Sequence, residues 1–154
     1  MATTSAGLLL YRRTNGEPEV LLVHPGGPYW AKKDDGAWSI PKGLSDENED
    51  PLAAARREFE EESGQRPEGE FIALGNFRQP SGKMIAVWAI EGDLDLKYFT
   101  SNTFAMEWPP KSGRMQAFPE ADRAAWFTLD EAAHKILKGQ RPMLDVLRDR
   151  LKWR

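Results

Sequence analysis

Three glutamates, Glu58, Glu61 and Glu62, are spaced i, i+3 and i+4 along the chain. On an α-helix this spacing brings their carboxylates onto adjacent turns of one surface, where each like-charge pair costs roughly a few tenths of a kcal/mol. Arg57, four residues before Glu61, offsets only part of that repulsion. Such a cluster favours a bound cation. Oxygen ligands without cysteine or a paired histidine suit Mg²⁺ or Mn²⁺ rather than zinc or copper.

The glutamates end an acidic segment, residues 46–62, which contains eight acidic and two basic residues. This composition is also typical of a solvated helix face, a disordered tail or a simple interaction surface. Residues 46–50 match the opening of an EF-hand calcium loop, but the sixth and twelfth positions are Pro51 and Arg57 instead of Gly and Glu. We therefore exclude a calcium loop here.

Residues 43–65 resemble a Nudix box, the pattern G-x5-E-x7-R-E-U-x-E-E-x-G-U in which U is a bulky apolar residue. The fixed residues all occur at the required intervals: Gly43, Glu49, Arg57, Glu58, Glu61, Glu62 and Gly64, with Phe59 at the first apolar position. Only the last position departs from the pattern, because Gln65 replaces an apolar residue. This substitution follows the expected helix end, where it would loosen packing without affecting the carboxylates. Within the family, the chain resembles bacterial members of the NTP pyrophosphohydrolase type.

Nudix enzymes cut a pyrophosphate linkage in a nucleoside diphosphate joined to another group, with water and divalent ions. The resemblance therefore implies a small-molecule nucleotide substrate, with Mg²⁺ or Mn²⁺ held by Glu58, Glu61 and Glu62. A pyrophosphate is polyanionic, so attack by water needs metal ions that neutralise its oxygens and acidify the nucleophile. A Nudix-fold module that binds or senses a nucleotide without turnover is the alternative, although such modules commonly lose box glutamates.

The resemblance also assigns roles to other acidic and basic residues. Arg57 orients a glutamate and belongs with the catalytic group, Gly43 allows a tight turn before the helix, and Glu49 supports the loop. Many Nudix enzymes use a further acid from a later loop. Glu120, six residues before Trp126, is the best-placed candidate for this catalytic acid, with Glu107 as second choice.

Four residues outside the catalytic group are candidates for substrate binding. Lys42 lies in a segment, residues 38–43, that resembles the strand before the box in the dinucleoside polyphosphate and diphosphoinositol branches. A lysine there can contact phosphate. Trp30 can stack on a base, and Arg78 and Lys83 flank a turn from which they can reach a substrate. Each of these residues also has a purely structural or solvated alternative.

Positions after the box do not settle the substrate. The diadenosine tetraphosphate hydrolase branch has a tyrosine where this chain has residues 81–83, which are Ser, Gly and Lys. ADP-ribose hydrolases have a proline where Pro80 lies, but Pro80 also suits a turn. A nucleoside triphosphate, a dinucleoside polyphosphate and an ADP-ribose-like compound all remain candidates.

Composition limits the other classes of function. The 154 residues suit a single domain over residues 1–154, and the absence of cysteine excludes disulfides, zinc ribbons and a thiol nucleophile. A net charge of −3 argues against broad nucleic-acid binding. No apolar run is long enough for a signal peptide or a membrane span, so we expect a cytoplasmic protein without a membrane partner.

The elements that must position these residues follow the order strands, helix, strands, helices. We expect strands at 6–13, 20–24, 38–40, 70–77, 84–90 and 124–127, a hairpin at Asn15-Gly16, and loops with one strand over 91–123. We expect helices at 52–62, between Asp50-Pro51 and Gly64, at 129–137 after Thr128, and from Pro142 toward Trp153. This order predicts an α/β (α+β) chain in which helices pack on a mixed sheet, and the Nudix fold implies that the helices sandwich it. His24 and His134 lack ligand-spaced partners and are interpreted as structural.

Overall fold

The computed structural model of the chain describes residues 4–14, 16–46 and 48–152, which form eight strands and three α-helices. In chain order these are β1 (Ser5–Thr14), β2 (Glu17–Pro25), β3 (Lys42–Leu44), α1 (Pro51–Ser63), β4 (Phe71–Arg78), β5 (Met84–Glu91), β6 (Thr103–Glu107), β7 (Met115–Pro119), β8 (Ala121–Thr128), α2 (Leu129–Lys135) and α3 (Arg141–Leu151). Short 3₁₀ turns cover Leu96–Tyr98 and Lys138–Gln140. None of the described helices has the length and apolar character needed to cross a membrane.

Six strands form one mixed sheet in the order β4-β5-β1-β2-β8, with β3 paired to the first residues of β1. β1 and β5 are parallel, whereas the other neighbouring strands are antiparallel. The predicted hairpin between the first two strands is confirmed, because Thr14 pairs with Glu17. Asn15 of the predicted turn lies outside the described residues.

Helices cover both faces of this sheet, as the sequence predicts. Leu8 and Leu10 of β1 belong to a core that includes Phe59 of α1. Leu9, between them, belongs to a second core that includes Leu147 of α3. Successive side chains of a strand point to opposite faces. A continuous apolar run in β1 is therefore required, because this strand is buried on both sides.

Helix α1 begins and ends at the predicted signals. The Asp50 carboxylate accepts a hydrogen bond of 3.1 Å from a first-turn N–H, and Pro51 is the first helical residue. Gly64 has φ of 80° and closes the helix, a conformation that favours glycine. Gln65, the departure from the box, donates its side-chain amide to the Asp95 carbonyl at 3.2 Å. It therefore attaches the helix exit to a neighbouring loop.

The region before β8 contains more strand than the sequence predicts. Instead of one strand over 91–123, β6 and β7 pair with each other as a separate two-stranded sheet. β8 begins at Ala121, three residues before the predicted start at 124. Both hairpin strands are five residues long and mostly exposed, so the region lacks the apolar alternation that reveals a buried strand.

Residues 38–40 form single bridges instead of the predicted strand. Ser39 pairs with Val23, and Trp38 pairs with Ile136. The second bridge gives Ile136 an extended conformation, so α2 ends at Lys135 rather than at the predicted residue 137. The three-residue strand β3 is not predicted by the sequence, because it is too short to show a period.

Of the two C-terminal helices, α2 starts at the predicted residue, and α3 starts at Arg141, one residue before the predicted Pro142. The Thr128 hydroxyl accepts a hydrogen bond from the Glu131 N–H at 3.2 Å, and the Glu131 carboxylate accepts one from the Thr128 N–H at 3.0 Å. These reciprocal bonds form a capping box at the start of α2. α3 contains Pro142 in its first turn, and Trp153 of the predicted helix lies outside the described residues.

Candidate active site

Arg57 of α1 lies at the centre of a carboxylate network. Its Nε and Nη2 donate to the two oxygens of Glu49 at 2.9 and 3.0 Å, a bidentate pair. Its Nη1 donates to Glu58 Oε1 at 3.0 Å and to Glu61 Oε1 at 3.3 Å. Nη2 also donates to the Leu44 carbonyl at 3.1 Å. One guanidinium thus joins the loop after β3 to two glutamates of the helix.

The Glu49–Arg57 pair stays ionised over a wide pH range. The hydrogen bonds from Arg57, and then the bond from the Asp46 N–H, lower the pKa of Glu49 to about 2. The hydrogen bond to Glu49 raises the pKa of Arg57 above its usual value. These charge-assisted bonds fix the guanidinium. The geometry supports the prediction that Glu49 acts in the loop rather than in the chemistry.

Glu58 lies against the backbone of β3. Its side chain is only 14% exposed, and a methyl group at Gly43 would overlap its carboxylate. Burial raises the pKa of Glu58, whereas Arg57 opposes that shift. Gly43 pairs with Ala6 inside the sheet. The predicted reason for Gly43, a tight turn, is therefore wrong: glycine is needed because the carboxylate occupies the space of a side chain.

A pocket of about 220 Å³ opens beside this network. It brings together Lys42 of β3, Glu62 of α1, Glu120 between β7 and β8, and Trp30 of the loop after β2. Four predicted site residues, distant in sequence, therefore share one cavity. The Glu120 backbone is held on both sides: its N–H donates to the Asn102 carbonyl at 2.8 Å, and its carbonyl accepts from the Gly26 N–H at 3.0 Å.

The electrostatics of Glu62 differ from those of an ordinary surface carboxylate. Burial, followed by repulsion from Glu58 and Glu120, raises the pKa of Glu62 to about 8. Lys42 partly opposes this shift through its charge and its backbone N–H. Among the described residues, Glu62 Oε2 is buried without a hydrogen-bond partner. A buried carboxylate oxygen without a partner is unusual in a folded protein.

These donors suit a hard divalent cation. The unpartnered oxygen of Glu62 and the mutual repulsion of Glu58, Glu62 and Glu120 are both relieved by a positive charge. Within the described ranges, however, no three acidic or histidine side chains are already arranged to hold a metal ion. Instead, Arg57 donates hydrogen bonds to Glu58 and Glu61, whereas Glu62 lines the pocket.

Three other sequence candidates lie outside the pocket wall. Arg78 and Lys83 are exposed at the turn between β4 and β5. Glu107 lies at the end of β6, where its carboxylate accepts a hydrogen bond from the Lys111 N–H at 2.6 Å. None of the three is among the residues that line the pocket. The structure thus favours Glu120 over Glu107 as the further acid that a later loop contributes beside the three glutamates of the box.

His24 has a supporting position that the sequence pattern does not reveal. It is fully buried, and its Nε2 donates to the Lys33 carbonyl at 2.6 Å while its Nδ1 bonds Asp122 Oδ1 at 2.9 Å. Its ring also contacts Trp38 edge-on, with centroids 5.2 Å apart. His24 therefore joins the loop that carries Trp30 to the start of β8. The signal in the sequence that could have indicated this position is a histidine at the end of an apolar run that forms a buried strand.

Comparison with known proteins agrees with the fold and the box. Residues 1–147 match the NUDIX domain. One relative, the CMP-5'-(N-acetyl-N-hydroxy-3-aminopropyl)phosphonate hydrolase of Streptomyces rubellomurinus, is 30% identical over 103 residues. That alignment includes 67% of this chain but only 43% of the relative, so the chain spans less than half of that protein's length.

Solved structures share the architecture at lower identity. A C. elegans Ap4A hydrolase binary complex superposes with a TM-score of 0.67 at 23% identity, covering 98% of this chain and all of that one. The NUDIX domain of Shewanella oneidensis NrtR, complexed with ADP ribose, has a TM-score of 0.65 at 17% identity, with 98% and 89% of the two chains covered. These likenesses concern the fold. Together with the match over residues 1–147, they show that the chain belongs to the NUDIX domain family, the hydrolase family whose box it carries.

Proposed function

We propose that the chain hydrolyses a pyrophosphate bond in a nucleotide-linked substrate and depends on a divalent metal ion. The observation that carries this proposal is the pocket in which Lys42, Glu62 and Glu120 meet Trp30, directly beside the Arg57–Glu58 network. Acidic, basic and aromatic groups in one cavity match the three parts of such a reaction: activation of water, neutralisation of phosphate and binding of a base.

Each residue has a role that follows from its surroundings. Mg²⁺ or Mn²⁺ held by Glu58, Glu61 and Glu62 would neutralise phosphate oxygens and acidify water. Lys42 contacts a phosphate of the substrate, and Trp30 stacks on its base. Arg57 positions Glu58 and Glu61 through the bonds described above. Glu120 accepts the proton of the attacking water as the new oxygen–phosphorus bond forms and the pyrophosphate bond breaks.

The relatives support a nucleotide substrate, but the group that is joined to the nucleotide differs among them. The names of three similar proteins refer to a CMP-linked phosphonate, to Ap4A and to ADP ribose. Each compound joins a nucleotide to another group. We propose the same class for this chain, which includes nucleoside triphosphates, dinucleoside polyphosphates and ADP-ribose-like compounds.

The test is a panel of these three substrate types, incubated in ¹⁸O-labelled water with Mg²⁺, with Mn²⁺ or with a chelator. We expect cleavage only with a metal, and label on a phosphorus of the product. Label on a sugar carbon, or no cleavage anywhere in the panel, would contradict the proposal. Tight nucleotide binding without cleavage would indicate the alternative, a binding or sensing module.

A further inference from the structure

A second surface leads outward from the pocket, between the loop after β2 and the hairpin of β6 and β7. Three contacts join them in order: Gly26 with Pro119, Gly27 with Phe104, and Tyr29 with Trp108. The hairpin strands pair from Thr103 and Pro119 at one end to Glu107 and Met115 at the other. The loop therefore follows the hairpin from Glu120 at the pocket to Trp108 near the hairpin tip.

The outer end of this line is rich in exposed apolar groups. Among the described residues four large hydrophobic side chains are exposed, and two of them, Tyr29 and Trp30, are neighbours on this loop. Tyr29 is 59% exposed although its ring meets the Trp108 ring edge-on, with centroids 5.3 Å apart. Exposed apolar side chains that cluster in this way mark a binding surface rather than chance exposure.

Basic residues lie on both segments that carry these rings, the loop after β2 and the tip of the hairpin. Lys33 Nζ lies 5.1 Å from the centroid of the Trp30 ring. Lys32, Lys111 and Arg114 are exposed, and in the part of the chain that the structure describes none of them forms an ion pair. The two acids next to Lys33 in sequence, at positions 34 and 35, are both paired with Lys135. Glu107, whose carboxylate accepts a hydrogen bond from the Lys111 N–H, is an acid at the same hairpin end, but these four cations leave the surface with a net positive charge.

We propose that this surface, formed by Tyr29 and Trp108 with the cations Lys32, Lys111 and Arg114, binds a second aromatic base at the far end of the substrate's phosphate chain. We call it the outer base site. The inference rests on the proposed function, because the phosphates reach it from the pocket. Aromatic faces bind any nucleobase by stacking, and nearby lysine and arginine side chains attract the phosphates that precede it.

Charge favours a nucleotide over other occupants. In a symmetric dimer the same patch faces itself, so the cations of two copies would oppose each other. A long nucleic acid requires a continuous basic groove, whereas this surface has one pair of contacting rings and the chain has a net charge of −3. A single second base with its phosphates fits the size and charge of the outer base site.

The experiment compares two substrates that differ only in the second nucleoside: diadenosine tetraphosphate and adenosine tetraphosphate. For Tyr29→Ala we expect KM for the dinucleotide to rise about tenfold and KM for the mononucleotide to change less than about twofold, in line with the strength of base stacking. Tyr29→Phe keeps the ring and should restore the dinucleotide KM. Lys111→Ala/Arg114→Ala should also raise KM for the dinucleotide, whereas Arg150→Ala/Lys152→Ala, an equal charge change at the end of α3, should not.

Equal effects of Tyr29→Ala on both substrates would overturn the outer base site, as would no effect on either. A dimer in sedimentation that Tyr29→Ala dissociates would assign this surface to a second copy of the chain and would likewise overturn it. If the unmodified protein cleaves neither compound nor any other member of the panel, the proposed function itself fails. The two failures are therefore distinguishable.

Discussion

At the scale of single residues, the glutamates of the box differ in their surroundings and in their pKa values. Glu49 is ionised and tied to Arg57, whereas Glu62 is buried with an oxygen that has no partner among the described residues. The same residue type thus has a pKa of about 2 at one position and about 8 at the other. Hydrogen bonds favour the charged form of the first, and burial disfavours the charged form of the second.

Glu62→Gln should separate function from stability. In metal-free protein the folded state retains the Glu62 proton from pH 4.5 to about 8, whereas the unfolded state loses it near pH 4.5. The free energy of unfolding therefore falls as pH rises through this range, by at most about 1.4 kcal/mol per pH unit. Glu62→Gln should remove that contribution and leave stability near pH 4, where Glu62 is mostly protonated in both states, within about 0.5 kcal/mol of the unmodified protein. Denaturant titrations with a chelator at several pH values measure both quantities.

Turnover of Glu62→Gln in saturating Mg²⁺ should fall by roughly a hundredfold or more, because a lost ligand misplaces charge stabilisation in the transition state. If the variant turns over normally and unfolds more easily, Glu62 is a structural residue. The assignment of the metal site to this helix would then have to be withdrawn.

Gly43→Ala tests the contact between β3 and Glu58. The added methyl group overlaps the Glu58 carboxylate, so that side chain must move away from Arg57. We expect a large loss of turnover with a stability cost of about 1–3 kcal/mol, the usual range for overpacking. Gly92→Ala, whose methyl group would meet only Leu10 at 3.3 Å, is the control and should keep its turnover. Equal turnover in both variants would show that the position of Glu58 is not critical.

At the scale of elements, α1 presents one face to the core and another to the site. Phe59 is fully buried in the core shared with β1, one residue after Glu58. Helical geometry separates neighbouring residues by about 100° around the axis. Stability and chemistry are therefore carried by different residues of the same short segment.

Phe59→Ala should destabilise the protein by about 3 kcal/mol or more, because it leaves a cavity under the helix. The part of the sample that stays folded should retain most of its turnover. Chemical denaturation combined with activity, corrected for the folded fraction, checks this prediction. A large loss of turnover without a loss of stability would mean that Phe59 serves the site and not the core.

His24 joins the loop of Trp30 to β8, so its substitution should affect substrate binding. His24→Phe removes the hydrogen bonds to the Lys33 carbonyl and to Asp122, and should cost about 1–3 kcal/mol for the groups left without partners. KM should rise more than kcat falls, because Trp30 is held less firmly. His134→Ala, at an exposed position of α2, is the control and should change neither value. A fall in kcat at constant KM would exclude this positioning role.

At the scale of the whole molecule, charge is distributed unevenly. Residues 46–62 carry a net charge of −6, so the remaining chain carries +3. Folding brings part of the acidic segment beside Lys42 and the loop that contains Lys32 and Lys33. The proposed substrate site therefore lies where negative and positive surfaces meet, which suits a metal ion and a polyphosphate together.

Millimolar Mg²⁺ or Mn²⁺ should raise the melting temperature by several degrees, because only the folded chain presents the glutamates together. Thermal unfolding with and without a chelator measures the shift, and calorimetry measures binding directly. The double variant Glu58→Gln/Glu62→Gln should show no shift. An unchanged melting temperature in the unmodified protein, together with no calorimetric binding, would contradict a metal site.

Several features could be predicted from the sequence because they depend on neighbours in the chain. The caps of α1, the continuous apolar run of β1 and the spacing of Arg57 and the glutamates are local properties, so residue types and intervals suffice. The confirmed packing of helices on a mixed sheet follows from the order of such elements, whereas the sandwich follows from the family resemblance. Membership of the family follows from the box.

Other features were decided only by tertiary structure. The pairing of β6 with β7, the pocket shared by Trp30, Glu62 and Glu120, and the bridge made by His24 all join residues that are far apart in sequence. Gly43 illustrates the physical reason: its importance comes from a carboxylate fifteen positions later that fills the space of its missing side chain. Burial and long-range contact set these properties, and neither is encoded in the spacing of residues along the chain.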